Sequence, residues 1–590
     1  MQANPSPFQV DEAGNFPITT STPAVVIETK RRGVNTSLVV FIATVGLLLV
    51  SISHIHQANS SSGLAKLDFT GMPDFDLEDA PQTLRVPKDF RQFTIDLFSI
   101  DKVKAAIDTL NGDAKIVCSG PSNNIDVFIN EEAVFGDLMG ATGYTAFNLD
   151  CRDSNADPQI AFLVVFDHYG NIVNINHLPI RAESVSMMDT YHVIYTTIGG
   201  NGAFIWNWKT DDIQQLPFLP DQHALQYVPS KNSFYGLYLD EGAKAKFSPS
   251  TVGEYDGKTG EVLWTFEPGY SHANYVSVAG KYIYASLRSA GALMKINRET
   301  DEIIWTLGGK YGDVPIYDID GNYYEVGAKE ISWSHQHKFQ HLDESFYSLF
   351  DNHVGMDHNF MNDENSRMVI IHYDQEAGVA REIFAHDTGD KARIYGSSDL
   401  LPTGNVIGNS YPYVVHPNVP DRQYHVNVWE ITPEGETAWR LGVKGHNPWN
   451  PEDKISAYPH SIDPEEEPPV GWLVYNAERF YEKPTISRPC MEGASVRLNP
   501  YNTIKTSEDM AGIAYIYDAQ QQEVLAKADF MFHKSWLPRN VDIPVPAGVA
   551  PDTDLQVVVV NNWKDSNVFS IGSTSQLPQC SEVSSNRLIK

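Results

Sequence analysis

Three observations predict an all-β protein. Short strands recur in a repeat of about 40 residues. Tyr, Phe, Trp and branched residues concentrate in those strands, and glycine-centred turns separate them. Trp264 and Trp305 occupy the same place in neighbouring repeats, 41 positions apart. The expected architecture is a six-bladed β-propeller, in which four-stranded sheets surround a central channel. A C-terminal antiparallel β-sandwich follows it. A small β-rich region and one transmembrane helix precede it.

The clearest repeat is SHANYVSVAGKYIYASLRSAGALMKINRETDEIIWTLGG (271–309). It reads as strands over 272–278, 282–287, 292–296 and 302–307. Its outer hairpin LMKINRETDEIIWTLGG aligns with VGEYDGKTGEVLWTFE (252–267), HYDQEAGVAREIFAHD (372–387) and VWEITPEGETAWRLGV (428–443). IWNWKTDDIQQLPF (205–218) is a degenerate copy. FLVVFDHYGNIVNINH (162–177) lacks inner strands and HSIDPEEEPPVGWLVYNAE (460–478) lacks an outer hairpin, so together they make one composite sheet. That gives six blades, with five and seven left open.

At 590 residues the chain is too long for one core. Residues 37–55, SLVVFIATVGLLLVSISHI, follow Lys30-Arg31-Arg32 and predict a signal anchor with the N-terminus cytoplasmic and the bulk extracellular or luminal. The runner-up is a cleaved signal peptide. The expected segments are a tail (1–36), the anchor (37–55), a stalk (56–85), a β-rich region (86–158), the propeller (159–482) and the sandwich (483–590). Asn59 opens a glycosylation sequon. Four cysteines fit an oxidising compartment, and two local disulfides, Cys118 with Cys151 and Cys490 with Cys580, are the simplest arrangement, although sequence alone does not fix the pairing. The net charge of −32 excludes nucleic acid as a partner, because phosphate binding needs clustered Lys and Arg.

Histidine recurs at the start of the innermost strand: His223, His272, His335 with His337, and His460. First residues of inner strands gather at one mouth of the channel, so imidazoles distant in sequence are expected to converge. Imidazole suits proton shuttling and nucleophilic attack. No compact ligand signature of the zinc-protease kind occurs, so neither metal nor cofactor is expected.

The runs HANYVSV…YIYASLR…GALMKINRETDEIIWTLGG, WSHQHKF…SLFDN (333–352) and GSSDLLPTGNVIGNSY (396–411) resemble the arylsulfotransferase family, particularly its eukaryotic branch. The resemblance covers roughly residues 160–480. It implies a six-bladed propeller and, from bacterial members, sulfuryl transfer from a phenolic sulfate to a phenol through a sulfohistidine, without a nucleotide donor. It matches His272 and Arg288 to a channel histidine and arginine of the family, Gln336-His337 to its glutamine–histidine pair, and Asp351-Asn352 to its aspartate–asparagine. Two departures stand out. His353 and its neighbours replace an arginine of the bacterial enzymes, and Ser397-Ser398 stand where those enzymes carry the nucleophilic histidine.

The expected catalytic set is therefore His337 as nucleophile or base, His272 as acid–base partner and Arg288 as anion holder, with His335 and His353 beside them. Gln336, Asp351, Asn352, Ser397, His223 and His460 are expected to contact a small phenolic or sulfated substrate. A non-catalytic ectodomain that binds a protein or glycan at the membrane, with the C-terminal sandwich as a protein-contact surface, is the rival reading. A metal- or quinone-dependent oxidoreductase is the third.

Overall fold

The computed structural model describes residues 90–109, 118, 121–140, 143–151, 160–238, 251–269, 272–328, 331–354, 364–413, 415–447 and 471–583. Strand outweighs helix by 51% to 6%, so the all-β expectation holds. The repeat at 272–307 forms Ala273–Ala279, Tyr282–Leu287, Ala292–Asn297 and Glu302–Leu307, within a residue of the expected bounds. These four strands pair in chain order as one antiparallel sheet, called sheet 4 below.

Two other sheets are also plain four-stranded meanders: sheet 2 (Ala182–Met187 to Ile213–Gln215) and sheet 3 (Leu225–Val228 to Val262–Phe266). Sheet 5 begins at His337–Asp343 and runs to Val379–Asp387, where Ile316–Tyr317 adds in parallel. Sheet 6 begins at Ser397–Leu400 and runs to Thr437–Val443. Asn124–Asn130 and then Phe90–Asp96 extend its edge. Sheet 1 is composite: Gly143–Cys151, Ala161–Asp167 and Ile172–Leu178 are joined by Trp472–Leu473 and Ala477–Tyr481. Residues 162–177 and 472–478 thus share a sheet.

A bulge recurs between the last two strands of sheets 1, 3, 4, 5 and 6, for example at Glu254/Tyr255 and Lys295/Ile296. An extra residue at this point sharpens the local twist, and its repetition marks these hairpins as copies of one unit. Apolar cores lie between consecutive sheets. Trp305 and Tyr284 of sheet 4 pack with Tyr347 and Tyr373 of sheet 5.

The C-terminal region contains a four-stranded sheet, Met510–Asp518, Glu523–Phe532, Leu555–Val560 and Ser566–Gly572, and a three-stranded sheet built around Ser495–Leu498. One core, including Val496, Ile543, Ile516 and Val557, unites them. The disulfides Cys118–Cys151 and Cys490–Cys580 are both formed.

Two expectations are corrected. No six-bladed propeller is identified: the strands divide among nine separate sheets, and edge strands added to sheets 1, 5 and 6 break the even four-strand count read from the repeat. Among the described residues no helix is long and apolar enough to cross a membrane, so the single-pass membrane placement is unsupported. Residues 37–55, Asn59 and His460 lie outside the described residues.

Candidate active site

In each of sheets 1–6 the residues just before one edge strand, called the inner strand below, carry polar or aromatic side chains. They are Tyr475 in sheet 1, Arg181 in sheet 2, His223 in sheet 3, His272 in sheet 4, His335 in sheet 5 and Tyr395 in sheet 6. Ring contacts link most of them. The rings of His223 and His272 meet edge-on at 5.3 Å, Tyr395 and Tyr475 lie 4.9 Å apart, and Tyr475 is 6.3 Å from both His223 and His337. The structure brings His223, His272, His335 and His337 close to one another.

Arg288 organises the cluster. It follows Tyr282–Leu287, whose last residue pairs with Ala273, so Arg288 and His272 face each other at the open end of one hairpin. Its backbone N–H donates to the His272 carbonyl at 3.1 Å. Its guanidinium donates to His272 Nε2 at 2.7 Å and to His335 Nδ1 at 3.3 Å. Among the described residues it forms no ion pair with a carboxylate, and its Nε is buried without a partner. Burial pushes its pKa down. A buried cation bonded to imidazoles and to no carboxylate is costly, and an anion would relieve the cost.

His272 and His337 are held neutral. Burial first, then Arg288, His223 and His335, push His272 down to about 2. His337 also lies well below its ordinary value, mainly through burial. Its two ring nitrogens are occupied: Nδ1 donates to Asn352 Oδ1 at 2.6 Å and Nε2 accepts from the Tyr395 backbone N–H at 3.2 Å. His223 is oriented differently, by a short contact between its Nδ1 and Asp221 Oδ1.

Several expected contact residues hold the site in shape. Asp351 accepts from the backbones of Ser334 and His353 and pairs with Arg367, so it fixes the turn that carries His335. Asn352 donates to the carbonyls of Ala392 and Tyr395. Gln336 is fully buried, and its carbonyl accepts from Asn274. Ser397 bonds Asn409 inside sheet 6. His353 sits beside Asp351 at 3.8 Å and Glu364 at 3.5 Å, with no contact to Arg288 described.

His272, His335, His353 and Tyr395 all adopt positive φ, between 53° and 64°. Side chains rarely accept that region, and such strain gathers where surrounding structure enforces it at functional positions.

Sequence reasoning missed Tyr395, Tyr475, Asp221, Arg181 and Glu183. The signal was present, since each lies at the same strand entry as the histidines, but an aromatic there reads as core. Glu183 bonds Arg181 at 3.1 Å and Tyr395 Oη at 3.3 Å. Burial raises its pKa. Two pockets lie further along these strands, toward the C-terminal region. The uncompensated cation is nonetheless the stronger functional mark, because it constrains the chemistry of a ligand and empty space does not.

The described architecture is that of an all-β protein with an anion-ready cluster at its strand entries. Residues 254–411 match the family described as Arylsulfotransferase (ASST), and that span holds His272, Arg288, His335 and His337. This region is arylsulfotransferase-like. No curated protein matches the chain. Among solved structures, one of a protein of unknown function from Bacteroides caccae is 12% identical, covering 51% of this chain and 94% of its own, with a TM-score of 0.32. The computationally designed Ika8 protein is 11% identical, covering 70% and 93%, with a TM-score of 0.24.

Proposed function

We propose that the protein transfers a sulfuryl group from a phenolic sulfate to a phenolic acceptor, as a relative of the eukaryotic branch of the arylsulfotransferases. The observation that carries this reading is Arg288, a buried guanidinium that reaches two imidazoles and, among the described residues, no carboxylate.

In this reading Arg288 binds the sulfate oxygens and frees His272 Nε2 to attack sulfur. The N–S bond forms as the S–O bond to the aryl group breaks, and charge growing on the sulfuryl oxygens is held by the guanidinium. The departing phenolate takes a proton from His223, whose Nδ1 is steadied by Asp221. Neutral His223 then takes the acceptor phenol's proton as its oxygen attacks sulfur, the N–S bond breaks, and His272 is restored. Tyr395 and Tyr475 supply ring faces for the aromatic partner. His337, with both nitrogens engaged, positions the Tyr395 loop and does not attack.

The test is to incubate the protein with a chromogenic aryl sulfate and a phenol, and to map any sulfuryl adduct on a denatured sample. Turnover with an adduct on His272 is expected. Absence of both refutes the reading. A second reading, anion binding without transfer, draws on Ser397-Ser398 standing where bacterial enzymes carry their nucleophile; it predicts sulfate binding with no turnover.

A further inference from the structure

The inner strands have a second end, where they meet the C-terminal region. Ser277 and His341 of sheets 4 and 5 face Lys505 and Lys534 across a small pocket of about 30 Å³, partly open to solvent. No Asp or Glu lines this pocket, in a chain whose net charge is −32.

Three side chains give the pocket its chemistry. His341 is 6% exposed, and its ring is stacked on Tyr284 at 4.3 Å, which fixes its plane. Its Nε2 is buried without a hydrogen-bond partner. Ser277 Oγ accepts from the His341 backbone N–H at 3.1 Å, which leaves its own O–H to donate. Lys534 makes no described ion pair; its backbone is tethered by Asp509 and Thr506, which fixes the loop and leaves the ammonium available. Lys505 differs, since Asp399 already neutralises it. The nearby Asp343 lies 3.6 Å from His533, which occupies it. The pocket lining therefore offers an ammonium, an imidazole nitrogen and a hydroxyl and contains no carboxylate, with Asp343 outside it also attracting Lys534.

We propose that this pocket is a second anion site, which binds a small tetrahedral oxyanion, sulfate or phosphate, between Lys534, His341 and Ser277. The bound ion is held by the Lys534 ammonium, the His341 Nε2–H and the Ser277 hydroxyl. It ties the ends of the inner strands to the C-terminal region. The site is separate from the Arg288 cluster and does not depend on sulfuryl transfer.

Calorimetric titration of the whole protein with sodium sulfate, then sodium phosphate, against chloride at matched ionic strength tests it. Arg288→Met removes the first site, and this variant is expected to retain one oxyanion-binding event. Adding Lys534→Met is expected to weaken that event about tenfold or more, the scale of a lost charge-assisted hydrogen bond. His341→Gln is expected to weaken it as well. Should Arg288→Met compromise folding, Lys534→Met alone is read instead, and it should lose one of two events. Retention by sulfate, by phosphate or by both supports the site and tells which ion it prefers. No binding to folded Arg288→Met, or unchanged binding after Lys534→Met, overturns it.

Discussion

Two neighbouring sites along these strands both bury charge, and they handle it in opposite ways. At the matched site, which begins one residue past His337 within the strands, Lys338 pairs with Glu478 and lies 3.8 Å from Asp399, while Lys505 pairs with Asp399. Two ammoniums meet two carboxylates. At the other site Arg288 meets only imidazoles. A folded chain that needed the charge for stability alone would have matched it, as it did with Lys338. The unmatched site is where a ligand completes the electrostatics. The matched site is where the chain completes its own.

The largest effect should come from breaking the matched site. Lys338 is 3% exposed, and burial is overcome by Glu478 and Asp399 so that it stays charged. Glu478→Gln removes its closest partner and should cost about 3–5 kcal/mol in denaturant unfolding. A loss near zero would show that Asp399 alone suffices, and the contrast between the sites would shrink.

Arg288→Met is the counterpart. Removing a buried, unpaired cation should leave stability equal or improved, while turnover with an aryl sulfate falls about a hundredfold or more, near 3 kcal/mol of lost transition-state stabilisation. A stability loss as large as that of Glu478→Gln would mean that Arg288 braces the fold, and the functional reading of the unmatched site would fail.

Legibility of the sequence follows the same division. The strands at 273–307 were readable because alternation and turn residues are local properties. The addition of Asn124–Asn130 to Thr437–Val443 was not, since edge pairing joins segments more than 300 positions apart and leaves no local pattern. Histidines at strand entries were readable because the repeat fixes their position. The role of His337 was not: it depends on Asn352 and the Tyr395 amide, which arrive from other loops. Nor did the pattern reveal Tyr395 and Tyr475, which resemble ordinary core aromatics until their neighbours are known.

A smaller effect separates the sites by pH. His272 has a folded pKa of about 2, below the unfolded value of 6.5, so protons favour the unfolded chain. Its contribution to stability is full above pH 6.5 and is lost as pH falls from there toward 2, with a limiting slope of about 1.4 kcal/mol per pH unit. His272→Gln should flatten that slope between roughly pH 6 and 4. Sulfate should flatten it in the wild type, since an anion beside the ring favours its charged form. An identical acid limb in the variant and the wild type would show that His272 is not the buried neutral base described.

The smallest effect expected is that of Lys505→Met, and it asks whether the four charges of the matched site act as two pairs or as one unit. Burial pushes the Lys505 pKa down and Asp399 holds it up. Once Lys505 is gone, Asp399 still has Lys338 at 3.8 Å, so it is not stranded. The expected cost is about 1 kcal/mol. It should be felt locally, as faster hydrogen exchange at Ile504 to Ser507, with sulfate binding at Arg288 unchanged. A cost matching that of Glu478→Gln would instead make the four charges a single cooperative network, in which the C-terminal region supplies an ion that the inner strands cannot do without.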